Sequence, residues 1–375
     1  MEQIIRSPIY DPSISLPDLT GKVALVTGSN SPIGIGWNIA NQLALKGAKV
    51  YVHGRTLEKA RAGIAAILSQ LGSNSSNAKV AASRLEPFVV DLGDLKAVRD
   101  TAVAFVEREA RLDILVHNAV TLAQVPELDE YGIAKSMTIN HIAPFLLTLE
   151  LLPLMKSTAQ SHPGVRIVTL SSVAHTFTTS GVRYDSLSSV NDNLGESADV
   201  LKRYAYSKLA NVLFAKELQR KLDKAGIQAI SVSVHPGNVK TDGALKYFGP
   251  EAFSKLEGHL EPLQGALAPL FAAAATEVWT ERDGGKDKLN WTGAYVMPYG
   301  VPSPVDEAEA AKDPKLAKEL WETTEKILAE NVGISPRMKV FLSGKILFRD
   351  GSILSSLCLT NFVSVAAVTS SRRSI

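Results

Sequence analysis

The chain has one cysteine, Cys358, in 375 residues. That count excludes an intrachain disulfide and a cysteine-based zinc centre, and it suits a reducing compartment. No metal site is expected. Charge of one sign is also lacking: 40 Lys and Arg stand against 38 Asp and Glu, for a net charge of +2. The basic residues are scattered among acidic ones and form no stripe, so nucleic acid is not an expected partner. Long apolar runs are missing as well. Met1–Thr20 carries Pro8, Pro12, Pro17 and several charges where a signal peptide or anchor would be apolar. The late stretch Ile353–Val368 is broken by Ser355, Ser356, Thr360, Asn361 and Ser364, short of the roughly 20 apolar residues of a spanning helix. Stable membrane insertion is not expected, and a cytoplasmic location is. No internal repeat is visible.

What is present is a globular balance, 45% hydrophobic and 21% charged, with strands and helices in alternation. Lys22–Thr27 is a short β-rich run that stops at Gly28. Gly36–Lys46 has helical spacing, Ala48–His53 is a second buried strand, and Thr56 can cap a helix ending near Leu71. Arg84–Val90, Leu112–Val116, Val165–Leu170, Ala229–Val234 and Trp291–Met297 read as further strands. Leu95–Arg108, Tyr131–Lys156, Val200–Lys224 and Asp313–Ala329 read as helices, the last capped by Asp313 with Pro314 at its first position. Near-continuous apolar strands between helices predict an α/β fold with a doubly wound parallel sheet of Rossmann type. The predicted organisation is an N-terminal extension (1–20), a single domain (21–332) and a C-terminal tail (333–375) of no assigned role. Two insertions, about 174–199 and 243–287, follow strand carboxyl ends, the edge where such sheets bind ligands, and are read as substrate loops.

Three groups of residues carry chemistry. Thr27-Gly28-Ser29-Asn30-Ser31-Pro32-Ile33-Gly34-Ile35-Gly36 lies between the first strand and the first helix. There, glycines let backbone amides approach a pyrophosphate and the helix N-terminus favours its charge. A bare glycine cluster is an ordinary loop; its position gives it meaning. The second strand ends His53-Gly54-Arg55. The acidic residue that would hold an NAD ribose hydroxyl is missing and a guanidinium stands nearby, so NADP(H) is the expected cofactor. Tyr204 and Lys208 are four apart in a helix, hence on one face. An ammonium some 4 Å from the phenol could supply on the order of 4 kcal/mol at an effective dielectric of 20, lowering its pKa. Tyr204 would then serve as acid and base. Because nine tyrosines and many lysines make that spacing close to a chance event, the pair takes its weight from its surroundings. Ser171 and Ser172, just past the fifth strand, are turn residues by themselves and candidate donors to a substrate oxygen in this company.

With those residues in view, Asp18–Leu328 resembles the short-chain dehydrogenase/reductase family. Thr27–Gly36 looks like its cofactor loop, with Gly28, Ser29, Gly34, Ile35 and Gly36 as implied contacts. Asp91-Leu92 looks like its adenine-contacting pair, Asn118-Ala119 like its Asn-Ala-Gly segment, and Asn140 like its active-site asparagine. Ser172, Tyr204 and Lys208 match its triad, and Pro236–Thr241 the segment that closes over the nicotinamide. The resemblance implies that Ser172 orients the carbonyl and Tyr204 moves the proton. It implies that Lys208 also holds the nicotinamide ribose, that Asn140 supports a proton-relay water, that Asn118 sits near the cofactor, and that Val239 and Thr241 sit by the carboxamide. Tyr204–Leu222 and Thr292-Gly293-Ala294-Tyr295 look most like the retinol-dehydrogenase-like and protochlorophyllide-reductase-like branches and their fungal relatives, which include reductases of secondary metabolism. Homodimers through the long helices are common in the family.

Two departures stand out. Five residues, not three, separate Gly28 from Gly34, which is read as a two-residue insertion, and Val120 replaces the glycine after Asn118-Ala119. The expectation is an NADP(H)-dependent oxidoreductase that interconverts a carbonyl and an alcohol on a small, apolar molecule. The apolar preference rests on the long loops and on Leu263, Leu267, Leu270 and Phe271, for which core packing is the competing reading. Carbon–carbon double-bond reduction and a non-catalytic NADP(H) sensor or interaction protein remain as alternatives.

Overall fold

A computed structural model of the protein describes residues 16–70, 82–122, 126–191, 200–255, 258–285, 288–298 and 301–335, with two short paired strands at 346–347 and 353–354. The chain divides into two units, Met1–Pro336 and Arg337–Ile375. In the first unit, seven short segments become parallel strands: β1 (Val23–Val26), β2 (Lys49–Gly54), β3 (Leu85–Val89), β4 (Ile114–His117), β5 (Val165–Leu170), β6 (Ala229–Val234) and β7 (Tyr295–Met297). They lie in the order β3-β2-β1-β4-β5-β6-β7, and β8 (Val301–Pro302) adds an antiparallel edge beyond β7. β1, β4, β5 and β6 are buried along their whole length, as Val- and Ile-rich strands covered on both faces must be. The strand order reverses between β1 and β4, and that reversal opens a crevice at their carboxyl ends.

The helices are α1 (Ile35–Leu45), α2 (Leu57–Gln70), α3 (Leu95–Arg108), α4 (Lys135–Ser161), α5 (Val200–Lys224), α6 (Asp242–Ser254), α7 (Pro262–Ala274) and α8 (Pro314–Ile327). α1, α2 and α7 bury their apolar faces with the strands in one core that includes Ile39, Leu43, Ile67 and Leu270. α3, α4, α5 and α8 pack with one another on the other side, around Phe145, Phe214 and Trp321. Each fully buried Leu or Phe here contributes roughly 1.5–3 kcal/mol. Local capping acts at two helix starts, the second of them expected from the sequence. Asp94 accepts a hydrogen bond from the Ala97 amide at 2.9 Å to open α3, and Asp313 accepts from the Lys315 amide at 2.8 Å ahead of Pro314. α4 is long and apolar enough to cross a membrane, but 89% of its most apolar window is buried inside the molecule, which makes it a core helix.

The structure departs from the expected layout in three places. The stretch 243–287 is not one loop: α6 buries none of its residues, whereas α7 is a crossover helix with Leu267 and Leu270 in the core. Those two leucines are therefore packing residues, while Leu263 stays exposed. Leu16 and Leu19, expected in an extension, are buried in the body of the fold. α4 starts later and ends later than expected. Asp129 instead organises a turn by accepting from the Tyr131 and Ile133 amides, both at 2.9 Å. Thr158, near the far end of α4, is buried and accepts from the Leu112 amide at 3.0 Å. Between Ser172 and α5, Val173–Phe177 forms a tight helical turn and Leu187–Asn191 a short helix, and residues 192–199 lie outside the described residues.

Candidate active site

The glycine loop is shaped from both sides. Gly28 has a φ of +64°, and a Cβ there would lie 2.8 Å from Ala119 Cα. A Cβ on Gly36 would lie 2.2 Å from Asn118 Nδ2, so α1 can approach β4 this closely only with glycine there. Asn118 uses that proximity: its Nδ2 donates to the Thr27 carbonyl at 2.9 Å and the Gly28 carbonyl at 3.1 Å. Thr27 Oγ1 accepts from the amides of Asn118 and Ala119. Gly34 is the N-cap of α1; no side chain caps that end, and its first turn holds no acidic residue. The two extra residues form a turn closed by the Gly34 amide and the Ser31 carbonyl at 2.8 Å, with Pro32 at its first corner, where its fixed φ fits. Ile35 and Gly36 thus follow in the first turn of α1. An uncapped helix N-terminus behind a loop that excludes Cβ atoms fits a dinucleotide pyrophosphate.

One loop residue does not face such a ligand. The Ser29 hydroxyl is buried, donates to the Val26 carbonyl at 2.7 Å and accepts from the His53 amide at 2.8 Å, while the Ser29 amide donates to the His53 carbonyl. Ser29 therefore shapes the loop from within. His53, which the sequence reading treated only as the residue before Gly54-Arg55, proves to be a strut. Its Nδ1 accepts from the Gly28 amide at 2.8 Å and its Nε2 donates to the Val90 carbonyl at 3.0 Å, and burial pushes its pKa down to about 4. Arg55 is exposed at the carboxyl end of β2. At the end of β3, Asp91 accepts from the Gly93 amide at 2.9 Å and Leu92 is buried.

The catalytic candidates converge where β5 meets α5. Leu170 ends β5, and its carbonyl accepts from Lys208 Nζ at 2.7 Å and from Asn211 Nδ2 at 3.1 Å. Ser171 Oγ donates to the Lys208 carbonyl at 2.8 Å, which ties the strand end to the helix and leaves Ser172 as the candidate serine. The Ser172 hydroxyl lies near enough to the Tyr204 phenol to lower its pKa, and it accepts from the Ala174 amide at 3.1 Å. Lys208 Nζ lies 5.4 Å from the Tyr204 ring centroid. Asn140 sits in a wide turn, Thr138–Ile142, within α4. Its side chain is fully engaged: Oδ1 accepts from the Thr121 amide at 2.8 Å, and Nδ2 donates to the Thr121 carbonyl and, at 2.9 Å, to Ser207 Oγ.

The electrostatics run opposite to the expectation for this pair. Burial pushes the half-buried Tyr204 up to about 12, against a smaller lowering by the Ser172 hydrogen bond. Lys208, buried and turned to a neutral carbonyl, is pushed down to about 7. Desolvation is the largest cause of both shifts, since each group loses water on burial. After β6, Val239 is pinned against α7, where a Cβ on Gly265 would meet Val239 Cγ2 at 2.5 Å. Thr241 Oγ1 caps α6 by accepting from the Ala244 amide at 3.2 Å. Ser31 Oγ donates to Asp242 in the first turn of α6, joining the glycine loop to the segment after β6.

Comparison with known proteins places this arrangement. The family model for short chain dehydrogenase matches residues 22–184. A short-chain dehydrogenase/reductase of Armillaria gallica is 40% identical over 326 residues, covering 84% of this chain and 95% of its own length. The chain belongs to the short-chain dehydrogenase/reductase family. Dehydrogenase/reductase SDR family member 13 of Bos taurus is 33% identical over 86% of this chain and 77% of its own length, which puts the chain beside the retinol-dehydrogenase-like branch. Among solved structures, the NADP active-site complex of Pseudomonas aeruginosa RhlG superposes with a TM-score of 0.55 at 25% identity, over 76% of this chain and 96% of that one.

The sequence reading missed a second histidine besides His53. His175 is fully buried, its Nδ1 donating to the Ser172 carbonyl at 2.7 Å and its Nε2 accepting from the Ala308 amide at 3.1 Å. The only signal for it was its place three residues after Ser172.

Proposed function

We propose that this member of the family is an NADP(H)-dependent oxidoreductase that interconverts a carbonyl and an alcohol on a small apolar molecule. The observation that carries the reading is the meeting of Ser172, Tyr204 and Lys208 at the carboxyl edge of the sheet, beside an uncapped helix N-terminus behind a glycine cradle. Gly28, Gly34, Ile35 and Gly36 are the residues to cradle the pyrophosphate, with Asp91 and Leu92 at the adenine and Asn118, Val239 and Thr241 toward the nicotinamide. Arg55, with a buried histidine in place of an acid at the end of β2, supports NADP(H), as does the NADP bound by the Pseudomonas relative. When bound, the cofactor supplies or accepts the hydride. Ser172 Oγ orients the substrate oxygen. Tyr204 gives that oxygen its proton in reduction and takes it back in oxidation. At about 12, Tyr204 is a protonated phenol at neutral pH, the form a proton donor needs in reduction. Lys208, at about 7, is divided near neutrality between amine and ammonium, and the ammonium steadies a phenolate. An apolar substrate is supported by Val120, Phe177 and Phe248, all exposed on the segments that leave β4, β5 and β6.

NADPH oxidation followed with a panel of aldehydes and ketones tests the reading. Tyr204→Phe should lower kcat by about 10²- to 10⁴-fold while NADPH binding stays unchanged. Turnover that survives the substitution would remove Tyr204 from the mechanism, and NADPH binding without turnover by the wild type would favour a cofactor sensor.

A further inference from the structure

The Ser172 carbonyl is held twice by one residue. It accepts from the His175 amide at 3.1 Å and from His175 Nδ1 at 2.7 Å. A carbonyl cannot donate, so Nδ1 carries the proton; the Ala308 amide donates to Nε2 at 3.1 Å, so Nε2 carries a lone pair. Two backbone groups, one of them 133 residues from His175 in sequence, thus select one neutral tautomer. The ring has no freedom to turn. It is fully buried, and it lies 4.7 Å from the Tyr295 ring at an interplanar angle of 60°. The segment that supplies the Ala308 amide is itself docked on α5, because Glu307 pairs with Lys216 Nζ at 2.5 Å, two helical turns beyond Lys208. Ser172 has extended backbone angles (φ −160°, ψ 155°), and its hydroxyl points to the Ala174 amide and the Tyr204 phenol. Fixing the carbonyl fixes ψ, and with it the direction from which that hydroxyl reaches Tyr204.

We propose that His175 is a positioning residue that holds Ser172 in register with Tyr204 through the paired hydrogen bonds to the Ser172 carbonyl, with the Ala308 segment as its anchor. The inference rests on the catalytic reading given above. A displacement of about 1 Å in a catalytic group can cost about 10²-fold in rate, so loss of this clamp is expected to lower kcat by about 10- to 100-fold.

The test uses the full-length protein, NADPH, and nonanal and benzaldehyde as carbonyl probes. Asparagine places an amide N–H where Nδ1 stands and keeps the bond to Ser172, whereas glutamine reaches toward the Nε2 position and loses it. His175→Asn should therefore keep kcat near the wild-type value, while His175→Gln and His175→Leu lower it about 10- to 100-fold with KM and NADPH binding little changed. Neither Gln nor Leu should lower kcat further in a Ser172→Ala background, since a clamp that acts only through Ser172 has nothing left to hold. If His175→Leu fails to fold, the Asn and Gln pair still decides. Full activity of His175→Gln beside an impaired Ser172→Ala overturns the role of His175 alone. An equal loss with Asn and Gln, or additive losses with Ser172→Ala, also overturns it. Full activity of Ser172→Ala, or no turnover by the wild type, overturns the catalytic reading and this inference with it.

Discussion

At the scale of single residues, the clearest contrast is between Arg55 and His53. Arg55 is exposed at the edge where an adenosine ribose would lie, while His53, two residues earlier, is buried and spans from the Gly28 amide to the Val90 carbonyl. The ring at position 53 is occupied in bracing the glycine loop, which leaves Arg55 as the residue proposed to choose the cofactor. Exchanging Arg55 for Asp should reduce kcat/KM for NADPH by tenfold or more and raise that for NADH, because a guanidinium–phosphate attraction of about 1.5–3 kcal/mol is replaced by repulsion. Steady-state kinetics with both cofactors measures this, and an unchanged NADPH preference would sink the assignment. The placement of the site candidates was legible where spacing carries it. Tyr204 and Lys208 share a face because they are four apart, and Ser172 stands at a strand end. His53 and His175 were not legible, since a lone histidine takes its meaning from backbone groups 25 and 133 residues away.

At the scale of elements, α3, β5, α5 and β6 have the bounds read from periodicity and capping. α7 was hidden because Pro262 and Gly265, which suggest a loop, are here the first turn of a helix and the point where it presses on Val239. The loop reading failed because Ala- and Leu-rich spacing outweighs one glycine when a helix face is buried. The glycine loop shows the reverse, since there the glycines are fixed by contact. Gly36→Ala forces a Cβ to 2.2 Å from Asn118 Nδ2 and 2.7 Å from the Gly28 carbonyl, so Asn118 must release the loop or α1 must withdraw. Overpacking of this kind costs about 1–3 kcal/mol. The expected result is a melting temperature lower by several degrees and NADPH binding weakened at least tenfold, read by thermal denaturation and fluorescence titration. Gly34→Ala, whose added Cβ would meet only the Ser31 carbonyl at 3.0 Å, should be milder. Equal effects from the two would contradict the account of α1 packing.

At the scale of the whole molecule, the buried histidines tie stability to pH. Burial pushes His53 and His235 down to about 4 and His117 and His141 down to about 3. His117 and His141 each meet a threonine hydroxyl through Nε2 and leave Nδ1 buried without a partner, so protonation would place an uncompensated cation in the core. In the unfolded chain such groups titrate near 6.5. Between that value and their folded pKa, the unfolded state binds more protons than the folded one. The contribution of the histidines is therefore full above about pH 6.5 and falls as pH drops toward 4 and then 3. Each group fully in that window removes about 1.4 kcal/mol per pH unit, so even two of the four acting fully remove on the order of 3 kcal/mol per unit, against a total of about 5–15 kcal/mol. Carboxylates with ordinary pKa values near 4 contribute little above pH 5, so the interval from 6.5 to 5 isolates the histidines. Urea denaturation at pH 7.5, 6.5, 5.8 and 5.0 should show a midpoint that declines slightly over the first step, where the unfolded chain still binds more protons at Lys208, and then declines steeply. A midpoint that holds steady down to pH 5.0 would mean that the core accommodates these charges, and that the neutral tautomers bracing the glycine loop and α4 are not what holds them in place.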